Sequence, residues 1–350
     1  MILFVIFSLG RGGAERVIVH LANYWAGQGR QVGILTFDTS PPQYVLHPAV
    51  QLIQNNIAYP SSNKLTGLFN NFKRLLILRG RIKSLRPSTV ISFTEDVNSL
   101  VCLATIGRRF RLILSDRIHP DWFGKRPIRQ WLKRVSYPLA DVLVVQTHRV
   151  KEAYKGFKIP IAVINNPLPS VSQRVINYDK KCIISAGRLD SQKNFPLLIE
   201  AVSRLQAPDW SVHIFGEGSE KSALQDLIIE KHLENRVLLR GSTPHILDEM
   251  VESSIFVLPS LAEGYPNVLI EAMSVGLAVV STDCPSGPDE IIYNNKNGLL
   301  VENNNAFEMT AALQRLVDDA QLRQQLGEQG LKIKEKLKMD VIAQAWEQFL

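Results

Sequence analysis

The stretch Pro259-Ser260-Leu261-Ala262-Glu263-Gly264-Tyr265-Pro266-Asn267-Val268-Leu269-Ile270-Glu271-Ala272-Met273 decides how this chain is read. The apolar run Ser254-Ile255-Phe256-Val257-Leu258 just before it reads as a buried strand. From Pro266 onward the pattern reads as a helix with proline in its first turn, where a missing backbone N–H costs nothing. The unit is strand–loop–helix, and its loop ends on a helix N-terminus. Unpaired N–H groups and partial positive charge at such an end attract anions and hydroxyl oxygens. Glu263 falls in the loop mouth, and Glu271 one to two turns into the helix at about 3.6 residues per turn. Two carboxylates around an N–H-rich turn suit a ligand with many hydroxyls. The plainer alternative makes Glu271 a solvated helix residue and Glu263 a loop charge.

Outward from this stretch, short Val/Ile/Leu-rich runs alternate with helical patterns. Strands are expected at 2–8, 31–37, 89–93, 111–115, 142–146 and 162–164. A second series is expected at 182–186, 211–216, 237–240, 255–258, 278–281 and 298–301. Continuous apolar runs mark strands buried on both faces. The βαβ alternation therefore predicts an α/β protein with two doubly wound parallel sheets. Ligands of such folds bind beyond the carboxyl ends of the strands.

The loops at those ends carry the unusual residues. After the first strand comes Gly10-Arg11-Gly12-Gly13-Ala14-Glu15-Arg16, a glycine-rich turn that either cradles a phosphate or sugar or is simply tight. It is not Gly-x-Gly-x-x-Gly, which disfavours a nicotinamide dehydrogenase. After the first strand of the second series comes Gly187-Arg188-Leu189-Asp190-Ser191-Gln192-Lys193-Asn194. Two cations before a helix suit a diphosphate, or else merely cap the helix. Gly216 and Gly241 follow two further strands and permit close backbone approach. On the other half, Glu95 and the segment Ser115-Asp116-Arg117-Ile118-His119-Pro120 also follow strands.

Length and charge bound the organisation. A chain of 350 residues with 45% hydrophobic content favours two domains. Residues 1–165 hold 23 Lys and Arg against 8 Asp and Glu, a net of +15; the remainder nets −8. The change of sign predicts domains at 1–165 and 166–335, with a Pro-rich hinge at 165–169. The three cysteines Cys102, Cys182 and Cys284 are far apart, without a zinc-like or Cys-x-x-Cys spacing, and read as small buried hydrophobes in a reducing cytosol. The apolar N-terminus lacks a basic leader region and is too short to span a bilayer.

Two stretches carry the basic excess, 64–86 and 125–134, the second with Trp131 among five cations. Basic amphipathic helices with an aromatic read as binders of anionic lipid. A solvated helix face is the plain alternative. Nucleic acid ranks lower, since no nucleic-acid motif accompanies the charge.

The Glu-x7-Glu spacing around Glu-Gly-Tyr-Pro-Asn, the Gly-Arg-Leu-x-x-x-Lys-Asn segment and the Gly-Gly-Ala-Glu-Arg loop together resemble retaining GT-B glycosyltransferases of family 4. The resemblance covers nearly the whole chain and is strongest over 180–300. It implies two Rossmann-like domains facing a central cleft, with the donor on the second, the acceptor on the first and a terminal helix at 336–350 crossing back to the first. It implies that Glu263 faces the donor sugar, Glu271 holds the ribose hydroxyls, and Arg188 and Lys193 hold the pyrophosphate. Gly12, Gly13, Gly187, Gly216, Gly241, Gly264, Tyr265, Pro266 and Asn267 would complete the donor site. Arg16, Glu95, Arg117 and His119 would face the acceptor, with His119 also a candidate catalytic group and Asp116 standing where relatives carry Glu.

The donor implied is a UDP-sugar carrying a hexose or N-acetylhexosamine. No cofactor is implied, and the absence of Asp-x-Asp predicts metal independence. The acceptor implied is a glycan on a polyprenyl diphosphate, met peripherally at the inner face of the cell membrane from the cytoplasm, with no nucleic acid involved. A non-catalytic sugar- or lipid-binding scaffold, or a phosphorylase or sugar-nucleotide epimerase of the same fold, stands as the alternative.

Overall fold

The structure is a computed structural model that describes residues 1–10, 12–58, 64–117, 120, 127–168 and 175–350. The chain divides into two units, Met1–Pro169 with Met339–Leu350, and Ser170–Lys338.

The first unit holds β1 (Ile2–Ile6), β2 (Val32–Thr36), β3 (Val50–Gln54), β4 (Thr89–Phe93), β5 (Arg111–Ser115), β6 (Val142–Val145) and β7 (Ile161–Val163). They form one sheet in the order β3-β2-β1-β4-β5-β6-β7, and every adjacent pair is parallel. Its helices are α1 (Gly13–Gly27), α2 (Lys64–Leu85), α3 (Glu95–Ala104), α4 (Pro127–Ser136) and α5 (His148–Ala153). Every residue of β1, β2, β4 and β6 is buried, as continuous apolar strands covered on both faces must be.

The second unit holds β8 (Cys182–Ala186), β9 (Ser211–Phe215), β10 (Val237–Gly241), β11 (Ile255–Leu258), β12 (Ala278–Asp283) and β13 (Leu299–Glu302). Their order is β10-β9-β8-β11-β12-β13, again parallel throughout. Its helices are α6 (Phe195–Ser203), α7 (Lys221–Glu230), α8 (Ile246–Val251), α9 (Asn267–Val275), α10 (Pro288–Ile291), α11 (Ala306–Asp318), α12 (Ala320–Gly330) and α13 (Ile333–Lys336). Leu198, Val212, Ile255, Val280 and Leu313 sit at the centre of its core.

Two local readings are corrected. Strand β3 was not expected, because Val50-Gln51-Leu52-Ile53-Gln54 is half polar. It lies at the sheet edge, where Val50 alone is buried, so it lacks the apolar run of a central strand. Pro266 is the N-cap of α9 rather than a residue of its first turn.

The last helix, α14 (Met339–Glu347), belongs to the first unit. Trp346 is fully buried and stacks on Phe93, with ring centroids 5.9 Å apart. Trp25 Nε1 donates to Glu347 Oε1 over 3.1 Å, anchoring the helix end beside α1.

Each sheet reverses its strand order once, between β1 and β4 in the first unit and between β8 and β11 in the second. At such a point consecutive connections run in opposite directions, and the loops leave a crevice at the carboxyl ends. The loops after β1 and β4 therefore frame one crevice, and those after β8 and β11 another.

Replacing Trp346 with alanine removes a stacked core residue and should cost about 3–5 kcal/mol of stability. Urea unfolding of the full chain followed by circular dichroism measures this. A loss below about 1 kcal/mol would show that α14 adds nothing to the core of its unit.

Candidate functional site

In the second unit the crevice between β8 and β11 is closed by an ion pair. Lys193 Nζ lies 2.6 Å from Glu263 Oε1, joining residues 70 positions apart. Their side chains are 15% and 7% exposed, so the pair is shielded from bulk water. Ser260 Oγ donates to the same Oε1 over 2.6 Å. Ser286 Oγ donates to the backbone carbonyl of Glu263, also over 2.6 Å.

The backbone is laced across the same crevice. Leu261 N donates to Gln192 O (2.9 Å), and Gln192 Nε2 donates to Ala262 O (2.9 Å). Lys193 N donates to the carbonyl oxygen of Asp190 (3.1 Å) and to its Oδ1 (3.2 Å), which folds the Gly187–Lys193 segment into a tight turn. Gly187 packs closely on this turn: a Cβ there would lie 3.2 Å from the Lys193 stem, tighter than ordinary van der Waals contact. Gly216 has φ +153°, and a Cβ on it would collide with the Gly187 carbonyl. Gly216 N in turn donates to Gly241 O (2.9 Å), so Gly187, Gly216 and Gly241 meet at the ends of β8, β9 and β10.

The remaining donor-side candidates fall in two groups. Gly264, Tyr265 and Pro266 are buried around Glu263, and Asn267 is half-buried at the start of α9. Burial, with Glu290 and Tyr293 nearby, raises the Tyr265 hydroxyl pKa well above the ordinary tyrosine value. Glu271 is 2% exposed, which rules out a solvated helix residue. Arg188 stands apart from the Lys193–Glu263 pair: its side chain is 68% exposed and paired with Asp190 at 3.2 Å.

Sequence reasoning missed the loop after β12. Ser286 and Cys284 are both fully buried there, and Ser286 has a left-handed φ of 72°. Burial, with the Glu263 charge adding to it, pushes the Cys284 thiol up to about 12. The available signal was Cys284-Pro285-Ser286-Gly287-Pro288 directly after an apolar strand. Thr94 (φ 74°) and Asn194 (φ 49°) are likewise left-handed in loops that follow β4 and β8. Such strain concentrates where surrounding structure fixes a site.

In the first unit Gly12 caps α1, with Gly13 and Arg16 in its first turn. Glu95, at the start of α3, pairs with Lys133 at 2.9 Å. Asp116 is 2% exposed and sits in a polar network. It accepts from Asn98 Nδ2 (2.8 Å), from Tyr137 OH (2.9 Å to Oδ2) and from Tyr154 OH. Lys133 Nζ completes the network, 2.9 Å from Tyr154 OH and 3.7 Å from Asp116 Oδ2.

Arg117 turns a different way. Its guanidinium lies over the Phe93 ring at 4.3 Å and donates through Nη1 to Asn166 Oδ1 (2.7 Å). Burial lowers its pKa to about 9, with Asp116 opposing the shift. His119 lies outside the described residues. The structure therefore brings Lys193, Glu263, Gly187, Gly216 and Gly241 together, and ties Glu95 to the Asp116 network.

Two outcomes test this geometry. Lys193→Met leaves Glu263 buried without its cation and should cost about 3–5 kcal/mol in urea unfolding. Adding Glu263→Gln should recover most of that loss, and strict additivity would show that the pair is not coupled. Cys284 should resist alkylation at pH 8 in the native protein and react once denatured, as peptide mapping reads directly; native labelling would contradict its burial.

Residues 170–333 match the "Glycosyl transferases group 1" family model, and residues 11–169 match "Glycosyltransferase Family 4". A Campylobacter jejuni protein is 30% identical, with 91% of this chain and 90% of its own covered. It is named N-acetylgalactosamine-N,N'-diacetylbacillosaminyl-diphospho-undecaprenol 4-alpha-N-acetylgalactosaminyltransferase. An uncharacterized glycosyltransferase of Haemophilus influenzae is 29% identical over 99% of both chains. Among solved structures, TarM aligns with a TM-score of 0.81 at 16% identity, over 99% of this chain and 98% of its own. Anabaena HepE, solved with UDP and glucose, aligns at 0.79 and 19% identity, over 99% and 98%. With two parallel α/β units, a shared GT-B fold and these matches along its length, the chain belongs to the family 4 glycosyltransferases and is a glycosyltransferase.

Proposed function

We propose that this enzyme transfers a hexose or N-acetylhexosamine, with retention of anomeric configuration, from a UDP-sugar to a hydroxyl of a lipid-linked glycan. The observation that carries the reading is the Lys193–Glu263 pair at the β8/β11 crevice, set beside the closely packed Gly187 and Gly216. Support for the nucleotide comes from HepE, solved with UDP and glucose. Support for the acceptor comes from the Campylobacter jejuni relative, whose name specifies a diphospho-undecaprenol acceptor.

The roles follow from chemistry. Both side-chain donors to Glu263 engage Oε1, which fixes the carboxylate plane. We assign Oε2 to a sugar hydroxyl, and Glu263 to orienting the sugar rather than attacking it. Lys193 would bridge Glu263 and the diphosphate, and exposed Arg188 would swing onto the same phosphates. Together they would stabilise the departing UDP as negative charge develops on it. The released phosphate oxygen would take the acceptor proton on the same face of the sugar, which retains configuration. Glu271 is assigned to the ribose hydroxyls. Lys193 and Arg188 would supply charge that a divalent ion would otherwise bring, so transfer is proposed to be metal-independent. We place the enzyme peripherally at the cytoplasmic face of the membrane that holds the acceptor. No described helix is long and apolar enough to cross a membrane.

Transfer from a panel of UDP-sugars to a polyprenyl-diphosphate glycan, with EDTA present, tests the reading. One sugar should transfer, with an α-linkage from an α-donor by NMR. Arg188→Ala should lower kcat/KM on the order of 10²–10³-fold without altering unfolding. Full activity in that variant, or an inverted product, would overturn the corresponding assignment.

A further inference from the structure

The carboxyl end of the first sheet gathers three side chains that no role above uses. Phe7 directly follows β1, Asp38 lies two residues beyond β2, and Asn55 directly follows β3. These strands are neighbours in the order β3-β2-β1, so the three residues share one end of the sheet. That is the end at which doubly wound sheets take their ligands. Backbone bonds hold the group together. Phe37 N and Asp38 N both donate to Phe7 O, over 2.9 and 3.2 Å, and Asn55 N and Nδ2 both donate to Thr36 O, over 3.1 and 3.4 Å. Thr36 Oγ1 donates to Asp38 O over 2.9 Å. The chain just beyond is tied to the glycine-rich loop, by Gln43 N to Leu9 O (2.9 Å) and Tyr44 OH to Gly12 O (3.3 Å).

Phe7 is 45% exposed although it adjoins a strand buried along its whole length. Its ring leans on Phe37, itself 2% exposed, with centroids 5.8 Å apart. A core ring therefore fixes Phe7 while much of its surface stays open. A single exposed apolar residue is ordinary. What sets this one apart is its company. Asp38 Oδ1 and Asn55 Oδ1 are buried and have no hydrogen-bond partner among the described residues. Buried acceptors are rarely left so, and each calls for an explanation. Asp38 as a whole is half-buried, and the torsion that turns its carboxyl group is broad, so a small rotation brings Oδ1 to a ligand.

An open aromatic ring beside oxygens that only accept matches the chemistry of a sugar. The C–H face of a pyranose is drawn to the negative face of the aromatic system, and its hydroxyls supply the hydrogens that the two oxygens lack. We propose that Phe7 is the platform on which the receiving sugar of the acceptor stacks, with Asp38 and Asn55 accepting from its hydroxyls. The proposal rests on the glycan-acceptor reading above and deepens it by naming residues that select the sugar. A prenyl chain is disfavoured as the occupant, because it would leave both oxygens buried without a donor.

The test uses the full chain with para-fluorophenylalanine in place of phenylalanine. The fluorine resonance of position 7 is the one that Phe7→Leu removes. It should move when the methyl glycoside of at least one hexose or N-acetylhexosamine is added in the presence of UDP. In the transfer assay Phe7→Ala should raise the acceptor KM about tenfold, as loss of one stacking contact does. Its kcat and UDP-sugar KM should stay within about twofold of wild type, the mark of lost acceptor binding alone. Phe7→Trp should restore the acceptor KM, which a residue that merely fills the core would not allow. A position 7 resonance that ignores every glycoside overturns the proposal, as does a wild-type acceptor KM in Phe7→Ala. So does an effect seen with the polyprenyl-linked acceptor and absent with the same glycan as its methyl glycoside, which would assign Phe7 to the prenyl chain. A resonance that moves with a glycoside, in a chain that transfers from no UDP-sugar, would instead count against the transferase reading and leave the platform standing.

Discussion

The site depends on one constraint, that a lysine and a glutamate must be brought together, out of water, at the point where a parallel sheet reverses its winding. Taking either charge alone into that environment would be costly, and the pair is tolerated because each satisfies the other and Ser260 supplements it. The position of the pair is set by topology. Strands β8 and β11 are neighbours in space though far apart in sequence, so their following loops must meet. The close-packed glycines, the left-handed Asn194 and Ser286, and the crossed bonds between Gln192 and Leu261–Ala262 hold those loops in register. A group so fixed presents charge to a ligand without reorganisation, which is how preorganised electrostatics accelerates a reaction.

The first unit solves a different problem with related means. It buries a carboxylate, a lysine and two tyrosine hydroxyls at the end of β5. Burial and the adjacent Asp116 charge hold the Tyr137 hydroxyl well above its ordinary pKa, so it stays a donor to that carboxylate. A network of this kind stabilises little compared with an apolar core, but it specifies one arrangement. Here it settles which face of α4 looks inward.

Much of this was legible in the sequence for physical reasons. Strands buried on both faces must be continuous apolar runs, and those runs placed twelve of the thirteen strands among the described residues. Ligands of such folds bind at the loops after the strands, and Glu263 and Lys193 both fall in such loops. Other features left no local trace. Strand β3 is half polar because it is an edge. Ser286 matters through a bond to a backbone carbonyl 23 residues away. The stretch around Trp131 advertised cations and an aromatic. That Lys133 is buried while Trp131 is exposed depends on Tyr154 and Asp116, which come from other elements. Pairings across distant segments are a property of the fold, and no window of sequence contains them.

The central claim is that the Lys193–Glu263 crevice holds a nucleotide sugar. Saturation-transfer difference NMR of the full chain against UDP-, GDP- and ADP-sugars, with a chelator present, tests it most directly. Selective enhancement of the base, ribose and sugar protons of one UDP-sugar is the predicted result. No enhancement from any nucleotide sugar, with the protein shown to be folded, would contradict the claim.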